Sequence, residues 1–306
     1  MAVVPAFVIT PEDRRWFTRC RRAWDLGARA RRALEPLEGG PVGLGPALRD
    51  ALAVYYFPGM WTWPRSIVLP LVTAALDRSG ATGDERDLMA GFVDWAPGVD
   101  RFTPVRVEHD VEVVVPDPVI SEQALATVAG DAVRFRERVL LVVVDDADQS
   151  CWLVRHRLAQ AWASADELAL DEDAAVTAWA WHEMELAMPI AGVIHDELRV
   201  DGPSFRRTVV PLSAEQVGDA GRRLGRTAMA MLDAVDVRPD PTPDWSHCRA
   251  CSFRAPCLAM NRGEDAEPLL AAHYRVRPEE APVEGRLGGR TWSTGRGARP
   301  NPFSAR

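Results

Sequence analysis

Three cysteines stand within ten residues, as Cys248-x2-Cys251-x5-Cys257 in DWSHCRACSFRAPCLAM, and a fourth, Cys20, lies more than 220 residues upstream. Two ligands separated by two residues reach one metal centre from a tight turn, and the gap of five, closed by Pro256, returns a third thiol to the same point. Three ligands from one short loop leave a coordination position for a distant residue. Soft, all-thiolate donor sets select zinc or an iron–sulfur cluster. Unligated cysteines, or disulfides in an oxidising compartment, are the bland alternatives. The start of the chain has no basic segment followed by a long apolar one, which predicts no secretory signal and argues against disulfides. The fifth cysteine, Cys151, reads as a small buried hydrophobe on a core strand. His247 abuts Cys248, and its ring is expected to point away from the centre.

A second constraint is an absence: all 36 basic residues are arginine. Arginine stays charged and does not serve as a titrating base. Schiff-base chemistry, a Walker-type phosphate loop and every mechanism built on a catalytic lysine are therefore ruled out. The net charge of −8 speaks weakly against a surface coated for nucleic acid. One local basic stretch stands apart, from Arg14 to Arg32, readable as a solvated helix face or as a phosphate-contact surface. No run of 18 apolar residues occurs, so no membrane span is predicted, and a cytoplasmic protein is the default expectation.

The rest of the chain reads as an ordered series. Thr10 as N-cap, Pro11, Glu12 and Asp13 open a helix expected over 10–35, with Trp16, Cys20 and Trp24 on one face. A glycine loop from Gly39 to Gly45 precedes helices at about 46–57, 66–79 and 84–94. Val-rich alternating stretches at 104–115, 132–144 and 151–157 read as strands. A helix at 171–187, strands at 191–199 and 205–211, and a helix at 213–235 capped by Ser213 and Gln216 follow. The predicted fold class is α/β: a mixed sheet core at about 104–211, flanked by helices, in one domain over 1–275. A cysteine loop at 241–262 closes a metal cluster, and a Gly/Arg/Pro-rich tail at 276–306 is expected to be disordered.

This arrangement resembles the iron–sulfur branch of the PD-(D/E)XK nuclease superfamily, the RecB-like and AddB-type exonucleases, from about residue 8 to 275. RRWFTRCRRAWDLGAR looks like that branch's first-cysteine helix, and PTPDWSHCRACSFRAPCLAM looks like its C-terminal cluster loop. The resemblance implies a restriction-endonuclease-like sheet and a [4Fe–4S] cluster on Cys20, Cys248, Cys251 and Cys257, with zinc as the alternative occupant.

The family's nuclease motifs are not reproduced. Where the family has Gly-x3-His, Gly45 is followed by Arg49. Its core-strand aspartate falls at Leu140 or Leu141, its (D/E)-x-K at Arg155-x-Arg157, and its Gln-x3-Tyr at Asp173/Thr177 or Ala175/Trp179. Mg²⁺ is a hard cation that needs clustered carboxylates, and two arginines in their place repel it. Glu108, Glu112, Glu137, Asp145, Asp146 and Asp148 read as a solvated strand face and an acidic turn rather than a rewired site. The resemblance thus implies a catalytically inactive nuclease-fold protein, with Arg49, Arg155 and Arg157 as candidate phosphate contacts and DNA or a DNA-processing protein as partner. An interaction subunit, or an iron–sulfur redox sensor without a nucleic-acid role, is the alternative expectation.

Overall fold

Local signals set the first elements. In the structure, a computed structural model that describes residues 7–37, 44–120, 123–185, 188–199, 201–235 and 239–277, strand β1 (Val8–Ile9) leads into helix α1 (Pro11–Arg19). The Asp13 N–H donates to the Thr10 hydroxyl at 3.2 Å, and the Thr10 N–H donates to the Asp13 carboxylate at 3.0 Å. This reciprocal capping box, followed by Pro11, fixes where the helix starts.

The single helix expected over 10–35 is corrected: Cys20 is extended, with φ −163° and ψ 115°, and α2 (Arg21–Gly27) starts afresh. The break folds α2 back so that the Trp16 indole rests where a Cβ on Gly27 would sit, at 1.9 Å, a contact only glycine permits. Trp24 turns into the main core, edge-to-face on Phe17 at 5.0 Å, while Trp16 meets Phe253 at 5.8 Å. The three residues do not share one helical face.

After β2 (Leu34–Pro36) come α3 (Pro46–Tyr55), α4 (Arg65–Arg78) and α5 (Gly83–Val99). Strands β3 (Phe102–Val114), β4 (Arg134–Asp145) and β5 (Cys151–Leu158) form an antiparallel meander. Helices α6 (Ala165–Ala169) and α7 (Glu172–Met184) cross to β6 (Ile190–Arg199), which runs parallel to β5, and β7 (Ser204–Pro211) returns antiparallel. The sheet order is β1-β4-β5-β6-β7, with β3 also on β4. Helix α8 (Ala214–Asp233) begins at the expected Ser213–Gln216 box. Short helices α9 (Trp245–Arg249), α10 (Arg254–Asn261) and α11 (Glu267–His273) lead to β8 (Tyr274–Val276), which pairs antiparallel with β2.

Both faces of the sheet are covered. Phe17, Trp24, Val176, Trp181 and Leu224 pack one face with Val142 and Leu153. Leu48, Tyr56, Val72, Leu88 and Phe92 pack the other with Val143 and Val154. Each large side chain so buried is worth roughly 1.5–3 kcal/mol. A small third cluster, Leu26, Leu34, Phe253 and Leu270, underlies the cysteine loop. The Arg277 guanidinium pairs with Glu12, and the expected start of a disordered tail at 276 falls inside β8. Residues 278–306, and residues 39–43 of the expected glycine loop, lie outside the described residues. Among the described residues, no helix is long and apolar enough to cross a membrane.

Candidate metal centre and cleft

The break at Cys20 brings its thiol to the C-terminal loop. The Thr242 N–H points at Cys20 Sγ from 3.5 Å, across 222 residues of sequence. In the loop, the Cys251 N–H reaches the Cys248 carbonyl at 3.4 Å, the tight turn that the x2 spacing called for. The Cys257 N–H caps back onto Phe253 at 3.0 Å. Burial raises the Cys251 thiol above its ordinary pKa, and the neighbouring Cys20 and Cys257 push it the same way. Cys20 and Cys257 are thus near enough to Cys251 to act on it electrostatically.

All five cysteines are free of disulfides. Cys151 sits in the main core, as expected of a small hydrophobe. The His247 ring lies 3.0 Å from the Thr242 carbonyl through Nε2, bracing the loop's own backbone. Among the described residues, no group of three or more His, Cys, Asp or Glu side chains closes around a point as a single metal ion requires. The donor chemistry fits a soft centre: all four candidate ligands are thiols, and two of the sulfurs, those of Cys20 and Cys257, face N–H donors of the kind that orient thiolate ligands.

The loop is anchored from several sides. Phe253 stacks on Tyr274 at 5.5 Å, and the Tyr274 hydroxyl donates to the Ser252 carbonyl at 2.5 Å. Arg19 donates to the His247 carbonyl at 3.2 Å, and Arg32 to Glu267 at 2.9 Å. Arg14 and Arg15 both grip Asp173 on α7. Much of the basic stretch at 14–32 is thus neither a solvated face nor a free phosphate surface: its arginines pin α1 and α2 to the rest of the chain.

Strand alternation separates the other candidates. Arg49, Tyr56, Glu108, Leu140, Leu141 and His156 line a recess of about 10 Å³, room for a single water molecule. Of the candidate phosphate contacts, Arg49 lines this recess, while Arg155 and Arg157 point to the opposite face of β5. The β5 residue that shares the recess is His156, because successive strand residues face opposite sides. The His156 side chain is 1% exposed and its Nε2 lies 3.5 Å from Asp196. Burial dominates and pushes its pKa down to about 4, so the ring is neutral. Beside it, Arg207 grips Asp196 with two bonds of 2.7 and 2.6 Å and reaches Asp100 at 2.8 Å. Burial lifts Asp100 to about 6, against the pull of Arg207. A more open groove, about 430 Å³, lies elsewhere, where Trp179, His182 and Glu183 of α7 face Val217 and Arg222 of α8.

On the other face, Arg155 lies 3.8 Å from Asp171, and Arg157 pairs at 2.6 Å with Glu197, which is buried and also engaged by Arg206. Glu137 accepts the Thr177 hydroxyl at 2.7 Å. Burial is the largest influence on Glu137 and raises it to about 7, against the opposing charge of Arg155. The acids of the β4–β5 turn do behave as a turn: Asp145 accepts the Ala147 N–H at 2.8 Å and Asp148 the Ser150 N–H at 2.9 Å. Glu137, expected on a solvated strand face, is instead enclosed beside Thr177, and the buried run His195, Asp196 and Glu197 on β6 has no counterpart among the expected site residues. The signal was available, since a strand flanked on both sides and covered on both faces has no solvated side for three successive polar residues.

Glu137 makes a pH prediction. Its folded pKa is raised, so its favourable contribution is complete below the ordinary value of 4.5 and is lost as pH rises through about 7. Glu137→Gln is therefore expected to gain on the wild type, by up to roughly 3 kcal/mol, as pH moves from 4.5 to above 7. Urea titrations of both proteins across that range check this, and a constant difference would contradict it.

No family model matches the chain, and no curated protein matches it. Among solved structures, one described as the crystal structure of SSO0001 is similar at a TM-score of 0.33 and 11% identity, over 69% of this chain and 82% of that one.

Proposed function

We propose that this chain is a nuclease-fold protein without nuclease chemistry, which holds a [4Fe–4S] cluster on Cys20, Cys248, Cys251 and Cys257 and acts by binding a DNA-processing protein. The observation that carries this reading is the recess. Where a metal-dependent nuclease needs clustered carboxylates, β4 supplies Leu140 and Leu141, β5 a neutral buried histidine, and α3 an arginine. Glu108 is the one acid of the lining, and a hard dication is not held by one carboxylate beside an arginine. The recess also lacks room for a nucleotide.

Bound at the four thiols, the cluster supplies a cross-link, and its electron-transfer capacity is secondary here. Cys20 and the loop bring together the first and last of the described elements, which the β2–β8 pairing and the Arg277–Glu12 ion pair also join. A protein partner is favoured over nucleic acid because two of the three expected phosphate contacts are engaged, Arg155 with Asp171 and Arg157 with Glu197. Trp63, Ile67 and Leu71, spaced by four and exposed, offer apolar surface of the kind partner proteins cover.

Incubation of linear duplex and single-stranded DNA with the iron-loaded protein and Mg²⁺ or Mn²⁺ is expected to leave both intact. Cleavage that disappears in Arg49→Ala or Glu108→Gln would overturn the loss of catalysis. Tight, steeply salt-dependent DNA retention on filters would replace the protein partner with nucleic acid.

A further inference from the structure

Among the described residues, Arg22 is the one buried arginine whose guanidinium is directed at a cysteine sulfur. It is 8% exposed. Its Nη1 lies 3.5 Å from Cys257 Sγ, donates to Asn261 Oδ1 at 2.6 Å and reaches the Cys257 carbonyl at 3.4 Å, while Nε reaches the Pro239 carbonyl at 3.4 Å. Four acceptors from α10 and the loop therefore hold the guanidinium in place, with the sulfur among them. On the other side, the Thr242 N–H faces Cys20 Sγ at 3.5 Å. Arg19 also acts electrostatically on Cys251, but its side chain is exposed and water screens it.

We infer that Arg22 is a positioning and tuning residue of the four-cysteine centre, fixing Cys257 and raising the reduction potential of the group it ligates. This rests on the iron–sulfur reading proposed above. A four-thiolate centre is anionic in both oxidation states and gains one more negative charge on reduction. A fixed cation donating to a ligand sulfur, removed from water, stabilises the reduced state more than the oxidised one. The single electron comes from the mediator dyes used to poise the titration, and no bond forms or breaks. α1 and α2 thereby contribute more than Cys20: the break that frees Cys20 also places Arg22, two residues on, beneath the loop.

The test is a mediator-coupled reduction titration of anaerobically prepared full-length protein, wild type against Arg22→Met and Arg22→Lys, followed by the cluster's absorption and electron-spin signals. The potential is read on the iron-containing fraction, so partial loss of the centre does not mask it. Arg22→Met is expected to shift the one-electron equilibrium about tenfold toward the oxidised form, a fall of about 59 mV, and Arg22→Lys to restore much of it. Iron-loaded variants with the wild-type potential would overturn the tuning role of Arg22 and leave the cluster reading standing. So would loss of all iron from both variants, which would reduce Arg22 to a structural anchor. A wild type carrying zinc and no iron would overturn the underlying reading itself.

Discussion

Asp196→Ala is expected to lower the free energy of unfolding by about 3–5 kcal/mol, the range for breaking a buried ion pair from one side. Asp196 is fully buried and holds Arg207 by two bonds along one guanidinium edge, from Nε and Nη2, so its loss leaves the charge largely enclosed beside the Phe102 and Trp95 rings, at 4.9 and 5.5 Å. Asp100 remains as a partner at 2.8 Å, but Tyr56 already donates to it and burial has raised its pKa, so it compensates only in part. The paired change Asp196→Leu with Arg207→Met removes both charges and is expected to recover most of the loss, because the penalty lies in the unpaired charge. Urea unfolding at pH 7 reads both variants. A loss below about 1 kcal/mol for Asp196→Ala would show that the charge escapes to solvent and that this face of the sheet is not closed.

Cys20→Ser is the second large effect. Bound at four thiols, the centre closes a chain segment from Cys20 to Cys248, and a cross-link over about 228 residues is worth on the order of 5 kcal/mol in a chain-entropy treatment. The β2–β8 pairing and the Arg22–Asn261 bond survive the substitution and retain part of that closure, so the measured loss falls below this figure. Limited proteolysis gives a sharper readout: cleavage of the wild type is expected to be slow across 239–277 and to become fast there in Cys20→Ser, with the sheet core still protected. Cys151→Ala, in the main core, is expected to leave the loop's protection unchanged. Equal protection of 239–277 in wild type and Cys20→Ser would mean that protein contacts alone hold the loop.

Much of the element order was legible from periodicity and caps. The Val-rich stretches became β3, β4 and β5, and the Ser213 box starts α8 where expected. Three features were not legible, each for a physical reason. The break at Cys20 depends on Trp16 docking over Gly27, a contact between helices that no local propensity reports. Which face of β5 carries Arg155 and Arg157 was not legible, because a sequence pattern gives the alternation of a strand without saying which face is which. His156 and Arg155 are adjacent in the chain and serve different cores. Glu137 looked like one more acid on a solvated strand, and only the packing of α7 encloses it with Thr177 and near Arg155. The cysteine spacing anticipated the turn in which the Cys251 N–H reaches the Cys248 carbonyl, and Cys20 lies against Thr242 of the same loop.

Iron, sulfide and zinc analysis of anaerobically purified wild type and Cys20→Ser, with an absorption spectrum of each, tests the four-cysteine centre most directly. About four iron and four sulfide per wild-type chain, falling sharply in Cys20→Ser, is the expected result. Zinc in place of iron, or a wild type without metal in every anaerobic preparation, would contradict it.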